Sequence, residues 1–256
     1  MIEDVSFVQV AASLVLIAVS VVLGLALQLG LTRQILVAAA RAAVQLLAVG
    51  LIFGWIAESG SAMALAWLWV AIMVAITSVI ARRRAPELRG GGPVAGASVS
   101  ASVGLCLLVI FGLDVLPYEP VNLIVIAGIT IGNSMPSQVL GANRVQAEVR
   151  DGRGQFEAML ALGLTVSQIV RLVGGRIVRT ALIPQIERTN VVGLIALPGA
   201  MTGLLLAGAD PLDAVLVQII VMYLVLGAVV TSVIISVVFG LRNSFTDDWR
   251  LRSLQQ

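Results

Sequence analysis

The stretch AVLVQIIVMYLVLGAVVTSVIISVVFG, residues 214–240, contains 27 consecutive residues without a charged side chain. About 20 apolar residues are enough to carry an α-helix across the hydrocarbon core of a bilayer. A helix inside a soluble domain alternates apolar and polar faces, and this stretch does not. The stretch therefore predicts a transmembrane helix.

Six further stretches of similar composition precede it in the sequence. They lie at 7–29, 34–57, 61–81, 94–113, 121–140 and 191–209. The sequence predicts an all-α, polytopic integral membrane protein with about seven transmembrane helices. All of them belong to a single transmembrane domain, 1–256, with one cytoplasmic loop at 141–190. Glu3 and Asp4 precede the first stretch where a signal peptide would carry basic residues, so we expect a retained span.

The overall composition agrees with a membrane protein and excludes several classes of enzyme. Hydrophobic residues make up 59% of the 256 residues and charged residues only 12%, about half the usual share. Histidine and lysine are absent, which excludes a phosphate-binding loop, a histidine zinc site and a Ser-His-Asp triad. We therefore expect no enzyme and no cofactor bound by this chain. The formal net charge of +2 does not favour a nucleic-acid partner.

The arginines are distributed unevenly between the two sides of the predicted helices. Fifteen of the sixteen lie in the segments 30–33, 82–93, 141–190 and 241–256, and the opposite segments contain none. Those opposite segments carry acidic residues: Glu3, Asp4, Glu58, Asp114, Glu119, Asp210 and Asp213. Because arginine stays on the cytoplasmic side, we expect the N-terminus outside and the C-terminus in the cytoplasm, in the inner (plasma) membrane.

The loop 141–190 is the one long polar segment. We predict a turn at 151–154, a short helix over 155–162 that stops at Gly163, and a second helix capped by Thr165. Apolar residues of the second helix share one face: Val166, Ile169, Val170, Val173 and Ile177. This pattern predicts a basic amphipathic helix on the membrane surface that ends before Pro184. Such a segment could do no more than connect two spans.

The short helix resembles a motif of ABC-transporter permeases. Glu157-Ala158-Met159, followed by Gly163 and by Leu182-Ile183-Pro184, is similar to the cytoplasmic EAA-type loop. The resemblance implies a coupling helix that docks on an ATP-binding subunit. Met159 stands where a second alanine is usual, and the proline falls about eight residues later than in the common pattern.

Two further blocks resemble the FetB (YbbM) family of ABC permeases over nearly the whole chain. They are Gly132-Asn133-Ser134-Met135-Pro136 and the segment 180–218, which contains Leu197-Pro198-Gly199-Ala200-Met201-Thr202-Gly203. The family includes bacterial iron exporters and plant aluminium-sensitivity proteins. The resemblance implies a homodimeric permease that exports iron or a related metal. It would pair with two separate ATP-binding subunits, which would hold ATP and Mg.

Polar residues and helix breaks within the spans are candidates for the translocation pathway. They are Arg41, Gln45, Asn133, Ser134, Met135, Pro136, Gln138, Pro198, Met201 and Thr202. Pro136 removes one helical hydrogen bond, and we expect a kink or break there. Pro198 marks a second break, in the stretch 191–209. The thioethers of Met135 and Met201 could contact a soft metal or simply fill space, so the metal ligands stay open.

Arg41 lies about 10 Å inside its span. It could reach back to the cytoplasmic surface, or it could bond to helix carbonyls or to Asn133. Beside a pathway, it would repel a bare cation and suit an anionic chelate.

Two other functions compete with a permease. A secondary transporter would also use broken helices, but no Asp, Glu or His lies well inside a predicted span to relay protons. An intramembrane enzyme would have Cys106 or a serine as nucleophile, without a His or Lys base.

Overall fold

The computed structural model describes residues 7–84, 91–246, 248, 250 and 251. Within these residues the protein is all-α, as predicted. The helices are α1 (Phe7–Ala26), α2 (Thr32–Glu58), α3 (Ala62–Arg84), α4 (Gly91–Gly112), α5 (Pro120–Asp151), α6 (Arg153–Ala161), α7 (Val166–Asn190), α8 (Gly199–Leu206) and α9 (Pro211–Asn243).

Five of the described helices are long and apolar enough to cross a membrane. They are α2, α3, α4, α5 and α9. The apolar part of α1, Ala11–Ala26, is shorter. The protein is therefore a multi-pass membrane protein, and the described helices account for five full-length spans where the sequence predicted about seven.

Helices α5, α7 and α9 form the centre of the molecule. At 1.5 Å per residue, α5 and α9, with 32 and 33 residues, are each roughly 50 Å long. Arg176 of α7 pairs with Glu148 of α5, and Arg188 bonds to Asn133, so α7 runs antiparallel to α5. Gly174 lies against Leu241 of α9.

Two apolar clusters hold this bundle together. The first joins the C-terminal halves of α5 and α9 to α6 and α7, with Val145, Val173 and Val237 at its centre. The second joins α3, α4 and the N-terminal half of α5, around Val99 and Leu123. Each cluster includes residues from a different half of α5, so α5 is the helix that links the two clusters.

The hairpin of α1 and α2 lies at the periphery. None of the 18 residues in the most apolar stretch of α2 is buried, and every side chain from 31 to 50 is at least partly exposed, whereas Ile56 near the end of the helix is buried. The outer surface of α2 is apolar, with Leu46, Leu47 and Leu51 about 70–78% exposed. An apolar surface of this kind suits contact with lipid.

The predicted helical span 191–209 is not one helix. Only Gly199–Leu206 is helical. Before it, Gly193 has φ +84 and its N–H donates to the Ala196 carbonyl at 3.0 Å. Pro198 follows with ψ 147 and starts α8. Glycine at a positive φ and proline at a helix start together form a tight loop, which hydropathy alone does not detect.

Neither proline interrupts its helix, so the break expected at Pro136 and the helix end expected before Pro184 are wrong, while the kink at Pro136 stays a prediction. Helix α5 continues through Pro136 to Asp151, and α7 continues through Pro184 to Asn190. A proline inside a membrane helix removes one hydrogen bond, and packing against neighbouring helices keeps the rest of the helix intact. The helical structure is interrupted instead at residues 191–198.

The apolar face of α7 is covered by other helices of the protein. Its predicted apolar face is correct, because Ile169, Val173 and Ile177 are at most 4% exposed. That face packs into the cluster formed by α5 and α9. A tertiary partner therefore covers the surface that the sequence assigned to lipid.

Candidate functional site

A cavity of about 310 Å³ lies where α7 ends and α8 begins, against α5 and α9. We call it the α7–α8 cavity. Four polar side chains line it: Asn133, Gln185, Arg188 and Gln218. Its remaining walls are apolar side chains and the backbone at Pro198, Gly199 and Ala200. No acidic side chain is among the lining residues.

Arg188 is the one charged residue in this lining. Its Nη1 donates a hydrogen bond to Asn133 Oδ1 at 3.0 Å. The ion pairs found among the described residues are Arg150–Asp151, Arg153–Glu157 and Arg176–Glu148. Arg188 is in none of them, so a neutral amide is its polar partner in the described structure.

The antiparallel register of α5 and α7 places Arg188 near the middle of α5. Glu148 and Asn133 are about four helical turns apart, roughly 22 Å. Glu148 pairs with Arg176 near the end of α5, whereas Asn133 lies near its centre. The sequence placed Arg188 in a loop, whereas the structure places it in the last turns of α7, against the middle of α5. The final turns of α7 enter the bundle and bring Arg188 with them.

Two glutamines contribute amide groups to the same cavity. Gln185 and Gln218 are each 5% exposed. The Oε1 of Gln218 accepts a hydrogen bond from the Met201 N–H at 3.3 Å, which ties α9 to the first turn of α8. The Gln185 side chain makes no hydrogen bond within the described residues, although it is buried at the cavity wall.

The first turn of α8 also faces the cavity. The first helical hydrogen bond of α8 runs from the Thr202 N–H to the Pro198 carbonyl at 3.0 Å. The N–H groups of Gly199 and Ala200 precede that bond and have no acceptor within their own helix. Both residues line the cavity, so their N–H groups add donors to the groups around it.

A second cavity, of about 400 Å³, adjoins the first. Val192, Leu197, Pro198, Gln218 and Met222 line both cavities. The second one is also lined by Thr189, Met201 and Tyr223. The two cavities therefore share one wall, the non-helical segment before α8.

The structure brings only some of the predicted pathway residues together. Asn133 and Pro198 line the α7–α8 cavity, and Met201 lines the second one with Pro198. Thr202 lies next to them, with its Oγ1 donating to the Pro198 carbonyl at 3.1 Å. Arg41 and Gln45 are exposed on α2 and line neither cavity. The partner considered for Arg41, Asn133, binds Arg188 instead.

The neighbours of Asn133 point in different directions. Ser134 and Gln138 are buried, and Gln138 Nε2 donates to the Ala95 carbonyl of α4 at 3.1 Å. Met135 packs with Ala81, Ala95 and Val139, on the side of α3 and α4. Pro136 is exposed. Met135 and Met201 therefore belong to different surroundings, and nothing in the described residues joins their sulfur atoms.

Sequence reasoning missed Gln185, Arg188 and Gln218 as site residues. Gln185 and Arg188 are three positions apart, which places them on one helix face. That spacing was a usable signal. It was hidden because the arginine distribution assigned residue 188 to the loop. Gln218 lies inside the longest apolar stretch, where a lone buried amide is itself a sign of function.

The predicted docking motif forms a short exposed helix at the end of the bundle where α5 and α9 finish. Phe156 fixes it, being 1% exposed and stacked edge-to-face on Phe245 at 5.9 Å. Glu157 and Ala158 are exposed, and Met159 is half-buried against the core. Gly163 has φ +82 and ends the helix region, as predicted. The motif therefore presents a charged and polar surface on an anchored helix.

The next helix, α7, is capped by Thr165 as the sequence indicated. Thr165 Oγ1 accepts from the Gln168 N–H at 3.3 Å, and Gln168 Oε1 accepts from the Thr165 N–H at 2.8 Å. This capping box fixes the start of α7. It holds α6 in a defined position relative to the bundle.

Metal-binding side chains do not cluster in the described part of the chain. No group of three or more His, Cys, Asp or Glu residues lies close enough there to hold an ion. Cys106 is buried, and its Sγ lies 3.6 Å from the Leu224 carbonyl oxygen. The groups in the two cavities that could contact a metal are amide and carbonyl oxygens, the hydroxyls of Thr189 and Tyr223, and the sulfur atoms of Met201 and Met222.

Similar proteins are found in plants and bacteria. The chain is 35% identical to "UPF0014 membrane protein STAR2" of Oryza sativa subsp. japonica, over 94% of this chain and 84% of the relative. It is 32% identical to "Protein ALUMINUM SENSITIVE 3" of Arabidopsis thaliana, over 96% and 90%. It is 29% identical to "Probable iron export permease protein FetB" of Escherichia coli strain K12, over 94% and 93%. No solved structure matches the chain.

These relatives confirm the resemblance drawn from the Asn133 and Pro198 blocks. Residues 7–245 match the family described as "Uncharacterised protein family (UPF0014)". That range includes both cavities, the anchored short helix and every described helix. The chain belongs to the UPF0014 family of membrane proteins.

Proposed function

We propose that this protein is the permease subunit of an ABC transporter and exports iron or a related metal. The observation that carries the proposal is α6: a short helix, held by Phe156 and ended by Gly163, that exposes Glu157 and Ala158 beyond the bundle. A permease without its own ATP site needs such a rigid surface to receive motion from a partner. The relative named as an iron export permease supports the cargo.

In this proposal a separate subunit binds ATP and Mg and docks on α6. The chain is oriented with its N-terminus outside and its C-terminus in the cytoplasm. Exposed arginines support this orientation, since they gather at the end where α6 lies: Arg150, Arg153, Arg171 and Arg242. Asp114, Glu119, Asp210 and Asp213 lie at the other end of α5 and α9.

The active unit would be a homodimer of this chain with two ATP-binding subunits. The exposed α1–α2 hairpin offers surface for lipid and for a second copy. The α7–α8 break would move when ATP binds, because α7 connects the docking helix directly to the cavity. A motion of α6 would reach Arg188 through a single continuous helix.

The docking role is tested by two substitutions in a co-purification experiment. Glu157→Arg reverses an exposed charge, and Gly163→Pro cannot adopt the observed φ of +82. Both should abolish association with the ATP-binding subunit while leaving membrane insertion normal. Glu119→Arg, an equal charge reversal at the opposite end of α5, is the control. Normal association by both docking variants would refute the role of α6.

The second candidate function is a stand-alone secondary transporter. The interrupted region between α7 and α8, with its polar cavity, favours it, because such transporters bind substrate at broken helices. Transport by the purified chain in vesicles without any ATPase would establish this alternative. Export that requires both the partner and hydrolysable ATP would support the permease.

A further inference from the structure

The α7–α8 cavity has the electrostatics of an anion site. Arg188 brings a permanent positive charge to a position near the middle of α5, and its partner in the described structure is the neutral Asn133 amide. No acidic side chain lines the cavity. The Arg188 side chain is exposed rather than enclosed, so its guanidinium is open to a ligand of the opposite sign.

Hydrogen-bond donors from two other elements point to the same ligand class. The N–H groups of Gly199 and Ala200 open α8, where the helix dipole favours negative charge. The Gln218 Oε1 is already used by the Met201 N–H, which leaves its Nε2 donor for another partner. Donors from α8 and α9 thus join the guanidinium from α7.

Gln185 supplies an independent observation. Its side chain is 5% exposed, lines the cavity and has no hydrogen-bond partner among the described residues. An amide in a cavity wall that has no partner within the protein is available to water or to a ligand. Gln185 lies one turn before Arg188 on the same face of α7. The pair therefore forms one binding surface.

A bare metal cation does not fit this site. Guanidinium and N–H groups offer no lone pairs, and the amide and carbonyl oxygens of the lining carry no negative charge to offset that of a divalent metal beside Arg188. The cavity volume of about 310 Å³ is at the lower limit for small-molecule sites. A small oxyanion, alone or wrapped around a metal, matches both the size and the charge.

We propose that the α7–α8 cavity binds an oxyanion, a carboxylate or a phosphate, and that metal is carried through it as an anionic complex. Arg188 anchors the anion, Gln185 and the first turn of α8 donate to it, and Asn133 orients the guanidinium. The assignment of an anion site stands on the cavity alone. The identification of the cargo as an anionic metal complex rests on the proposed export function.

The test is equilibrium binding to the purified full-length chain in detergent. Four probes are titrated separately: citrate, inorganic phosphate, ferric citrate and Fe²⁺ alone. Citrate or phosphate should bind, ferric citrate should compete with the one that does, and Fe²⁺ alone should not compete. Comparing citrate with phosphate identifies which oxyanion the cavity prefers.

Two variants assign the binding to the cavity. Arg188→Gln should weaken oxyanion binding at least tenfold, whereas Arg179→Gln, an exposed arginine of α7 that lines neither cavity, should not. Asn133→Asp is nearly isosteric and places a carboxylate beside Arg188. It should weaken oxyanion binding by a similar factor, and Asn143→Asp, at an exposed position of the same helix, is its control.

The outcomes separate the site from the transport function. Oxyanion binding that is unchanged in Arg188→Gln or Asn133→Asp would overturn the site, and so would binding of Fe²⁺ alone that citrate does not affect. If no oxyanion binds while ATP-dependent iron export persists, the site fails and the permease stands. If Arg188-dependent citrate binding occurs without any ATP-dependent export, the site stands and the proposed function fails.

Discussion

Arg188 Nη1 lies 3.0 Å from Asn133 Oδ1 and joins the last turns of α7 to the middle of α5. The contact places a cation at the wall of the α7–α8 cavity. It also fixes the register of α7, together with the Arg176–Glu148 pair at the other end of the helix. Both the cavity and the position of α6 therefore depend on how α7 lies against α5.

Removing the acceptor should loosen this contact. Asn133→Leu leaves the Arg188 guanidinium without its amide partner. We expect a loss of about 1.5 kcal/mol in the free energy of unfolding, the lower end for a charged hydrogen bond, because Arg188 is exposed. Thermal unfolding in detergent measures it. Asn143→Leu, at an exposed position of α5, should leave stability within about 0.5 kcal/mol, and equal losses would contradict the prediction.

The close contact between α5 and α9 should not tolerate a larger residue. A Cβ at Gly141 would lie 3.1 Å from Val237 Cγ2, whereas one at Gly132 would meet nothing within 4 Å. Gly141→Leu should therefore destabilise the protein by about 1–3 kcal/mol through overpacking. Gly132→Leu is the matched control on the same helix. Equal melting temperatures for the two variants would show that α5 and α9 do not pack here.

Phe156 should anchor α6. It is 1% exposed and contacts Phe245, so Phe156→Ala removes a buried aromatic side chain at a cost of about 3–5 kcal/mol. Hydrogen exchange of residues 153–163 should accelerate, and association with the ATP-binding subunit should fall. Phe239→Ala, at a position 49% exposed, serves for comparison. Unchanged exchange in 153–163 would mean that another contact holds α6.

The capping box at the start of α7 should matter for the same region. Thr165→Ala removes the side chain that accepts from the Gln168 N–H, which typically costs about 1 kcal/mol. Ser167→Ala, at an exposed position two residues further along the chain, is the control. Chemical denaturation of both variants measures the difference. Similar midpoints for the two would contradict a role for the cap.

The orientation can be tested by labelling single cysteines in a Cys106→Ala background. Leu212→Cys lies at the acidic start of α9, and Arg171→Cys lies at the exposed surface of α7 near α6. A membrane-impermeant maleimide added to intact cells should label the first and not the second. Labelling of residue 171 from outside would contradict the proposed orientation. It would place α6 on the side of the membrane opposite to the ATP-binding subunit.

Apolar stretches predicted most helices because their composition alone makes lipid the better solvent. Helices α2, α3, α4 and α9 agree with the predicted spans to within a few residues at most boundaries. Local rules also located the stop at Gly163 and the cap at Thr165, since both depend on neighbouring residues. The candidate site was predicted only in part, through Asn133 and Pro198.

The sequence by itself determined that the chain is a multi-helix membrane protein, where its short polar helix lies and which family it belongs to. These properties follow from composition and from short-range patterns. Only the tertiary structure decided that one face of α7 is buried, that α5 passes Pro136 unbroken and that Arg188 lines a cavity. Each of these depends on which helix packs beside which. That choice is set by side chains far apart in the chain, such as Arg188 and Asn133, and no local pattern records it.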